Sequence, residues 1–295
     1  MASSQLQRSE KVSGWLFVMP ALVLLGIFMV YPIVWSLWMS FQTGRGLNFS
    51  FGGWANITRL TQDPIFLRAL SNTMIFLVVQ VPIMIGLALL LAVALNNPNL
   101  MGRSFFRTAI FLPCVTSLVA YSVLFKSMFS VDGVINGALQ GLRLINSPIP
   151  WLADPNWAKV VIILAITWRW TGYNMIFYLA ALQNIDRSIY ENARIDGVPV
   201  WARFWHLTIP MLKPVILFTT IVSTIGTLQL FDEVNNITSG GGPADGTMTL
   251  SFYIYSLSFK FMPAFGYAAT ISYVIVILVV ILSWLQFRFA RETSP

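Results

Sequence analysis

Charge is scarce in this sequence. Only 10% of its 295 residues are Asp, Glu, Lys or Arg, against about 25% in a soluble globular domain. An ordinary water-soluble fold is thereby excluded. Cysteine occurs once, as Cys114 between Pro113 and Val115, so an internal disulfide and a multi-cysteine metal site are excluded too. Cys114 reads as a small filler of an apolar run. The one histidine, His206, leaves no His pair and no Cys-His pairing, and it reads as a surface or interface residue. There is no Walker-type phosphate loop: Gly240-Gly241-Gly242-Pro243 lacks the Gly-Lys-Ser/Thr that would follow. The chain is therefore expected to carry no catalytic residue, no metal site and no ATPase of its own. Any energy for transport would come from a partner or an ion gradient. The excess of Lys and Arg gives a net charge of +7. In a soluble protein that would suggest nucleic acid; here it reads as charge flanking membrane spans, and no nucleic-acid partner is expected.

What the sequence has is long apolar runs. Hydrophobic residues make up 57% of it, and the mean hydropathy is +0.72. A bilayer core needs about 20 apolar residues in a helix, and six runs meet that need or come close. They are residues 14–41, 72–95, 108–125, 157–182, 210–231 and 264–287. This predicts an all-α membrane protein of six transmembrane helices, with a transmembrane domain over 14–290. Short polar tails would flank it at 1–13 and 291–295, the first of them irregular. A cleaved signal peptide fits the first run poorly, because its apolar core would span only about 7–15 residues. Segments 42–71 and 126–157 are assigned outside. Basic residues near span ends place both termini inside by a modest majority. No tandem repeat is present, nor a pair of matching interrupted spans such as inverted-repeat carriers show.

The most informative polar stretch is 186–214. Ser188 and Glu191 form an S-x-x-E pair, which predicts a helix capped by Ser188. Asp196-Gly197 would end that helix, since Gly tolerates the left-handed conformation of a C-terminal cap. Pro199 suits the first turn of a second short helix. Ala193 and Gly197 lie four apart, keeping one face low. These residues alone fit either a connector between spans or a docking helix for a soluble partner. The pattern Glu191-x-Ala193-x-x-Asp196-Gly197, followed by Phe204, Ile209-Pro210 and Pro214, resembles the cytoplasmic loop of permease subunits from binding-protein-dependent ABC importers. Length and hydropathy resemble the sugar-importing, maltose-type branch over nearly the whole chain. Asn192 and Asp186 depart from the family's usual Ala and Pro.

The resemblance implies that a coupling loop, 186–209, enters a cleft on an ATP-hydrolysing subunit through Glu191, Ala193, Arg194, Asp196 and Gly197. It further implies a second, homologous membrane subunit, an ATPase dimer that holds ATP and magnesium, and an external solute-binding protein. The chain itself would bind no cofactor. The location would be the bacterial inner membrane, with several passes and lipid around them. The cargo would be a sugar, a di- or oligosaccharide. Gly240, Gly241, Gly242 and Pro243, with Thr247 and Tyr253, resemble the family's outer loop that meets the binding protein; by themselves the glycines need only mean a flexible turn.

Polar residues at membrane depth suggest a path for cargo. Arg169 lies 12 residues beyond Trp157, about 18 Å along a helix, near the middle of a core about 30 Å thick. An ionised group there is costly and faces a cavity or a partner. Residues 166, 170, 173 and 177 share one helical stripe, in which Trp170, Tyr173 and Phe177 are aromatic, and Asn174 and Gln229 add hydrogen-bonding groups. The stripe fits a tightly packed bundle face or a translocation cavity whose rings contact a sugar. Asp232 and Glu233 are expected at the outer rim, either as ordinary interfacial charge or as partners of sugar or of Arg169. The rivals are an ion-gradient-driven secondary transporter, for which no acid is evident at the depth of Arg169, a membrane-embedded enzyme, and a membrane scaffold.

Overall fold

The computed structural model describes residues 2–46 and 48–292, with side chains described from residue 13 to residue 290. Arg8, Lys11 and Arg291, which count among the basic residues near span ends, carry side chains outside the described set. The chain divides into two compact units, Met1–Gln62 with Ile254–Tyr273, and Asp63–Tyr253 with Val274–Pro295.

In the first unit, α1 (Ala2–Leu25) passes through a π-helical turn at Gly26–Val30 into α2 (Tyr31–Ser40). The irregular lead expected over 1–13 is thus helical from Ala2, and α1 simply extends the apolar helix backwards. Strands β1 (Gln42–Arg45) and β2 (Asn48–Phe51) form an antiparallel hairpin, and α3 (Ala55–Gln62) follows. The buried Asn56 amide donates to the carbonyls of Ser40 and Gln42, both at 2.8 Å, which ties α3 to the end of α2. The Thr270 hydroxyl donates to the same Ser40 carbonyl at 3.0 Å, and Arg59 lies 3.9 Å over the Tyr267 ring. None of the apolar window in Ser13–Ser40 is buried in the chain. Burial of that surface has to come from lipid or another subunit, because exposed apolar area is unfavourable in water.

The second unit is a helical bundle. α4 (Pro64–Asn96) is capped by Asp63, whose carboxylate accepts from the amides of Ile65 and Phe66, with Pro64 at the first helical position. α8 (Pro155–Gln183) repeats the device with Asp154 and Pro155. Both helices start earlier than hydropathy alone suggested, because a carboxylate and a proline define a helix start irrespective of apolarity. The expected third span is broken. α5 (Arg103–Val115) and α6 (Leu118–Met128) meet at 99°. Pro113 removes one ladder donor, and Thr116 and Ser117 are extended at ψ 152° and 131°. α7 (Val134–Gly141) follows, and the loop after it is tied by Asn136, whose amide donates to Val131 and Ile149 and accepts from Trp151 Nε1.

Beyond α8 come α9 (Arg187–Ile195), α10 (Val200–Arg203), a π-helical turn Phe204–Thr208, α11 (Ile209–Leu228), α12 (Asp232–Ile237), α13 (Leu250–Tyr255) and α14 (Phe265–Glu292). The fifth span is thus continuous from Val200, ten residues before its expected start at Pro210. Among the described residues five helices are long and apolar enough to cross a membrane, or six with the bent pair as one, in agreement with an all-α protein of six spans. α4 and α8 pack most extensively against each other, with α5 and α11 alongside. Ala88, Ala92, Met175, Tyr178, Leu182 and Leu212 fill their shared core.

Gly172 allows α8 to press on α5: a Cβ there would overlap the Ile110 carbonyl. Gly172→Ala should therefore lower the thermal midpoint of the detergent-purified chain, by an overpacking cost of about 1–3 kcal/mol. Gly86→Ala, in α4 with open space around the new carbon, should leave the midpoint unchanged or raise it. Equal midpoints for both variants would show that the α5–α8 contact carries no such constraint.

Candidate functional site

The loop at 186–209, the candidate for docking, is built from short-range rules. Its N-terminal cap is Asp186, whose carboxylate accepts from the Ser188 amide at 2.9 Å, so the expected cap at Ser188 is displaced by two residues. Asp186 stands at the cap position and its carboxylate reaches the helix start, while Ser188 falls inside the first turn. These hydrogen bonds hold the Asp186 carboxyl below the usual carboxylate range. The cap is therefore intact at neutral pH and is lost only as pH falls through that lowered value. The C-terminus closes as a double turn, with Gly197 N–H donating to Arg194 O and Val198 N–H to Ala193 O, at 3.1 and 2.9 Å. Gly197 has φ +70°, as the sequence indicated. Pro199 lies just before α10 rather than within its first turn.

Ala193 is buried, while Glu191, Arg194, Asp196 and Gly197 are exposed. Beside them Ile195, Trp201 and Trp205 are exposed by 83%, 70% and 60%. The Tyr190 hydroxyl lies 3.2 Å from that of Thr208, fastening α9 to the entry of the fifth span. His206 is exposed, with Nδ1 3.0 Å from the Ala202 carbonyl. The loop thus presents a short, doubly capped helix with polar ends and an apolar flank. Nothing in the chain lies within 4 Å of a Cβ built at Gly197. Glycine is needed there for its backbone conformation, and the low face is open to whatever approaches.

At membrane depth, Arg169 is 93% buried. Its Nη2 reaches the Thr116 carbonyl, the group freed by the break between α5 and α6, at 3.5 Å. Its guanidinium lies 4.7 Å over the Tyr121 ring and 5.7 Å from that of Trp170. Its Nε and Nη1 have no hydrogen-bond partner. Glu233 is 5% exposed, and its carboxylate interacts electrostatically with Arg169 and neighbours the Tyr121 hydroxyl. Among the described residues the two charges do not reach ion-pair distance. The expectation of a rim position is corrected for Glu233, since α12 turns inward against α6 and α8; Asp232 is exposed.

Trp170, Tyr173 and Phe177 stack edge to face at 5.7 and 5.0 Å, and Phe218 of α11 continues the series at 5.7 Å. Trp170 is 37% exposed, so this stripe lies on the surface of the chain. Asn174, by contrast, is buried: its amide donates to Trp170 O at 3.0 Å and faces Met84 Sδ at 3.6 Å. It belongs to an internal polar layer in which Thr227 donates to Gln80 at 3.1 Å. Gln229 is the exposed C-terminal cap of α11. The structure therefore brings Arg169, Trp170 and Tyr173 together and sets Asn174 and Gln229 apart from them.

The glycine run is a fixed turn. Ser239, Gly240, Gly241, Gly242, Ala244 and Asp245 all have positive φ. The Asn72 amide donates to Asp245 O and Met248 O, both at 3.0 Å, and Arg68 donates to Ala244 O at 3.0 Å. The Thr238 and Thr247 hydroxyls pair at 2.7 Å, beneath Gly242 where a Cβ would collide with Thr247. Pro243 leads a short 3-10 turn.

Residues 49–294 match the family described as binding-protein-dependent transport system inner membrane component. The chain belongs to that family. It is 68% identical over 290 residues to the lactose transport system permease protein LacF of Rhizobium radiobacter, covering 98% of this chain and 97% of that one. It is 32% identical to the arabinooligosaccharides transport system permease protein AraP of Bacillus subtilis, over 96% and 90% of the two chains. Its fold matches a crystal structure of a bacterial ABC transporter involved in import of the acidic polysaccharide alginate. There the TM-score is 0.84 at 23% identity, over 99% of this chain and all of that one.

In this family member, sequence reasoning missed Tyr121 altogether, and of its alternatives for Glu233 the structure favours the one beside Arg169. A tyrosine amid the third apolar run was the available signal. An acid at the end of the fifth run was ambiguous until α12 was seen to fold back. Because Arg169 and Glu233 share one buried environment, their substitutions should not add. Arg169→Met and Glu233→Gln should each lower the thermal midpoint in detergent, and the double variant should recover part of the loss. The expected coupling is about 0.5–3 kcal/mol. Strictly additive losses would mean that the two charges are independent.

Proposed function

We propose that this permease carries a lactose-class di- or oligosaccharide across the bacterial inner membrane as one membrane subunit of an ABC importer. The observation that carries the reading is the 68% identity to a lactose permease over 98% of the chain. An aromatic stripe exposed at membrane depth supports it, because flat rings suit the apolar faces of a sugar.

The remaining parts of the machine are supplied by other chains. A second membrane subunit would face the stripe and the unburied first span. An external binding protein would deliver sugar to the ordered 238–249 turn. Two ATPase subunits would hold ATP and magnesium and receive α9. Their closure moves a rigid, doubly capped helix that is joined through Tyr190 and Thr208 to the fifth span, and so transmits motion to the path. Membership of the family favours this reading over the ion-gradient and enzyme alternatives.

Trp170→Ala and Tyr173→Ala should each lower sugar uptake about two- to tenfold, the value of one aromatic contact. Binding-protein-stimulated ATP hydrolysis should persist. Wild-type uptake in both would reduce the stripe to packing. For the docking loop, Glu191→Lys and Gly197→Trp should leave the permease in the membrane but reduce recovery of the ATPase on a tagged permease. Full recovery and uptake in both variants would remove α9 from the coupling role.

A further inference from the structure

A cleft of ≈ 820 Å³ opens between the ends of α4, α5 and α8 and the docking elements α9 and α10. Arg103, Arg107, Arg187, Arg194 and Arg203 line it, and Glu191 is the one carboxylate among the described lining residues. Arg103 and Arg107 are one turn apart on α5, a like-charge pair that disfavours the helix by itself. Arg107 Nη2 makes a long bond of 3.3 Å to Leu95 O, and its Nε is buried without a partner. Several guanidinium forks around one space, unmatched by acids, fit an anion with several oxygens on one centre; phosphate has that shape. The walls are mixed: Leu90 and Val93 from α4, and the exposed Trp201, stand beside the arginines. A basic cleft with an apolar wall at the end of transmembrane helices suits an amphiphile.

We infer that this cleft is a binding site for a phosphate ester, with the phosphodiester headgroup of an anionic phospholipid and a soluble cytoplasmic phosphate compound as its two possible sources. The bound phosphate bridges α5, which belongs to the broken third span, to α9 and α10 of the docking loop. Occupancy thereby restrains the loop from the membrane side. The inference rests on these residues and not on ATPase docking, and it is testable on the permease chain without any ATPase.

The experiment uses the full chain purified in a neutral detergent. Native mass spectrometry follows addition of phosphatidylglycerol or phosphatidylcholine, and inorganic phosphate and glycerol 3-phosphate are added as competitors. The wild-type chain should retain phosphatidylglycerol in preference to phosphatidylcholine, or show protection by the soluble phosphates. Competition by the soluble compounds assigns the site to a cytoplasmic solute, and its absence assigns it to lipid. Arg103→Gln/Arg107→Gln should weaken binding about tenfold or more, while Arg143→Gln, on an exposed arginine far along the chain, should not. A wild-type arm guards against misfolding of the double variant: phosphatidylglycerol or phosphate should slow phenylglyoxal modification of Arg103 and Arg107, read by peptide mass. No preference for either phosphate source, equal binding by the double variant, or unprotected arginines would overturn the site.

Discussion

A guanidinium buried at membrane depth cannot shed its proton, so its surroundings must answer the charge. Arg169 is answered from three sides. The carbonyl of Thr116, released where α5 ends, accepts from it; the face of Tyr121 in α6 lies under it; and the field of Glu233 from α12 opposes it. The break in the third span is tolerated because a neighbouring helix takes up the freed backbone group. The burial of Glu233 is tolerated because a cation is near. One side chain thus ties the bend of the third span to the inward turn after the fifth.

The rest of the bundle separates polar groups that stabilise from polar groups that act. Gln80, Thr227 and Asn174 satisfy one another or the backbone between α4, α8 and α11, and Tyr178 pairs with Thr219 in the same interior. These groups are closed off. Trp170, Tyr173 and the flank of α9 face away from the chain's own core, as does the first span. Large apolar surfaces left outward on one chain mark contact with lipid or with protein.

The turn at 238–249 and the loop at 186–198 reach rigidity by similar means. Both use glycine where φ must be positive, and both fix the freed amides and carbonyls with hydrogen bonds. At 238–249 the donors come from distant residues of α4, Arg68 and Asn72. At 186–198 they come from the loop itself. That difference explains why the helix at 187–195 was readable from sequence and the fixed form of the turn at 238–249 was not. A cap and a double turn involve residues within six positions of one another, whereas Asn72 and Asp245 are 173 apart.

Hydropathy by itself determined the class of protein, the number of spans and the end of the second one. Local pattern determined α9 and its glycine stop, though it set the cap at Ser188 when the nearer carboxylate was Asp186. These are one-dimensional properties: apolar length, and hydrogen bonds between near neighbours in the chain. Tertiary structure alone decided which polar residues at membrane depth are enclosed and which are presented. Asn174 and Tyr173 are adjacent in sequence, yet one helical step of about 100° turns the first into the packed interface with α4 and the second toward the surface. Likewise Glu233 follows Asp232 directly, and the fold-back of α12 buries one carboxylate beside Arg169 and leaves the other in solvent. Pairing across helices depends on where α6, α8 and α12 meet, and no local pattern encodes that meeting.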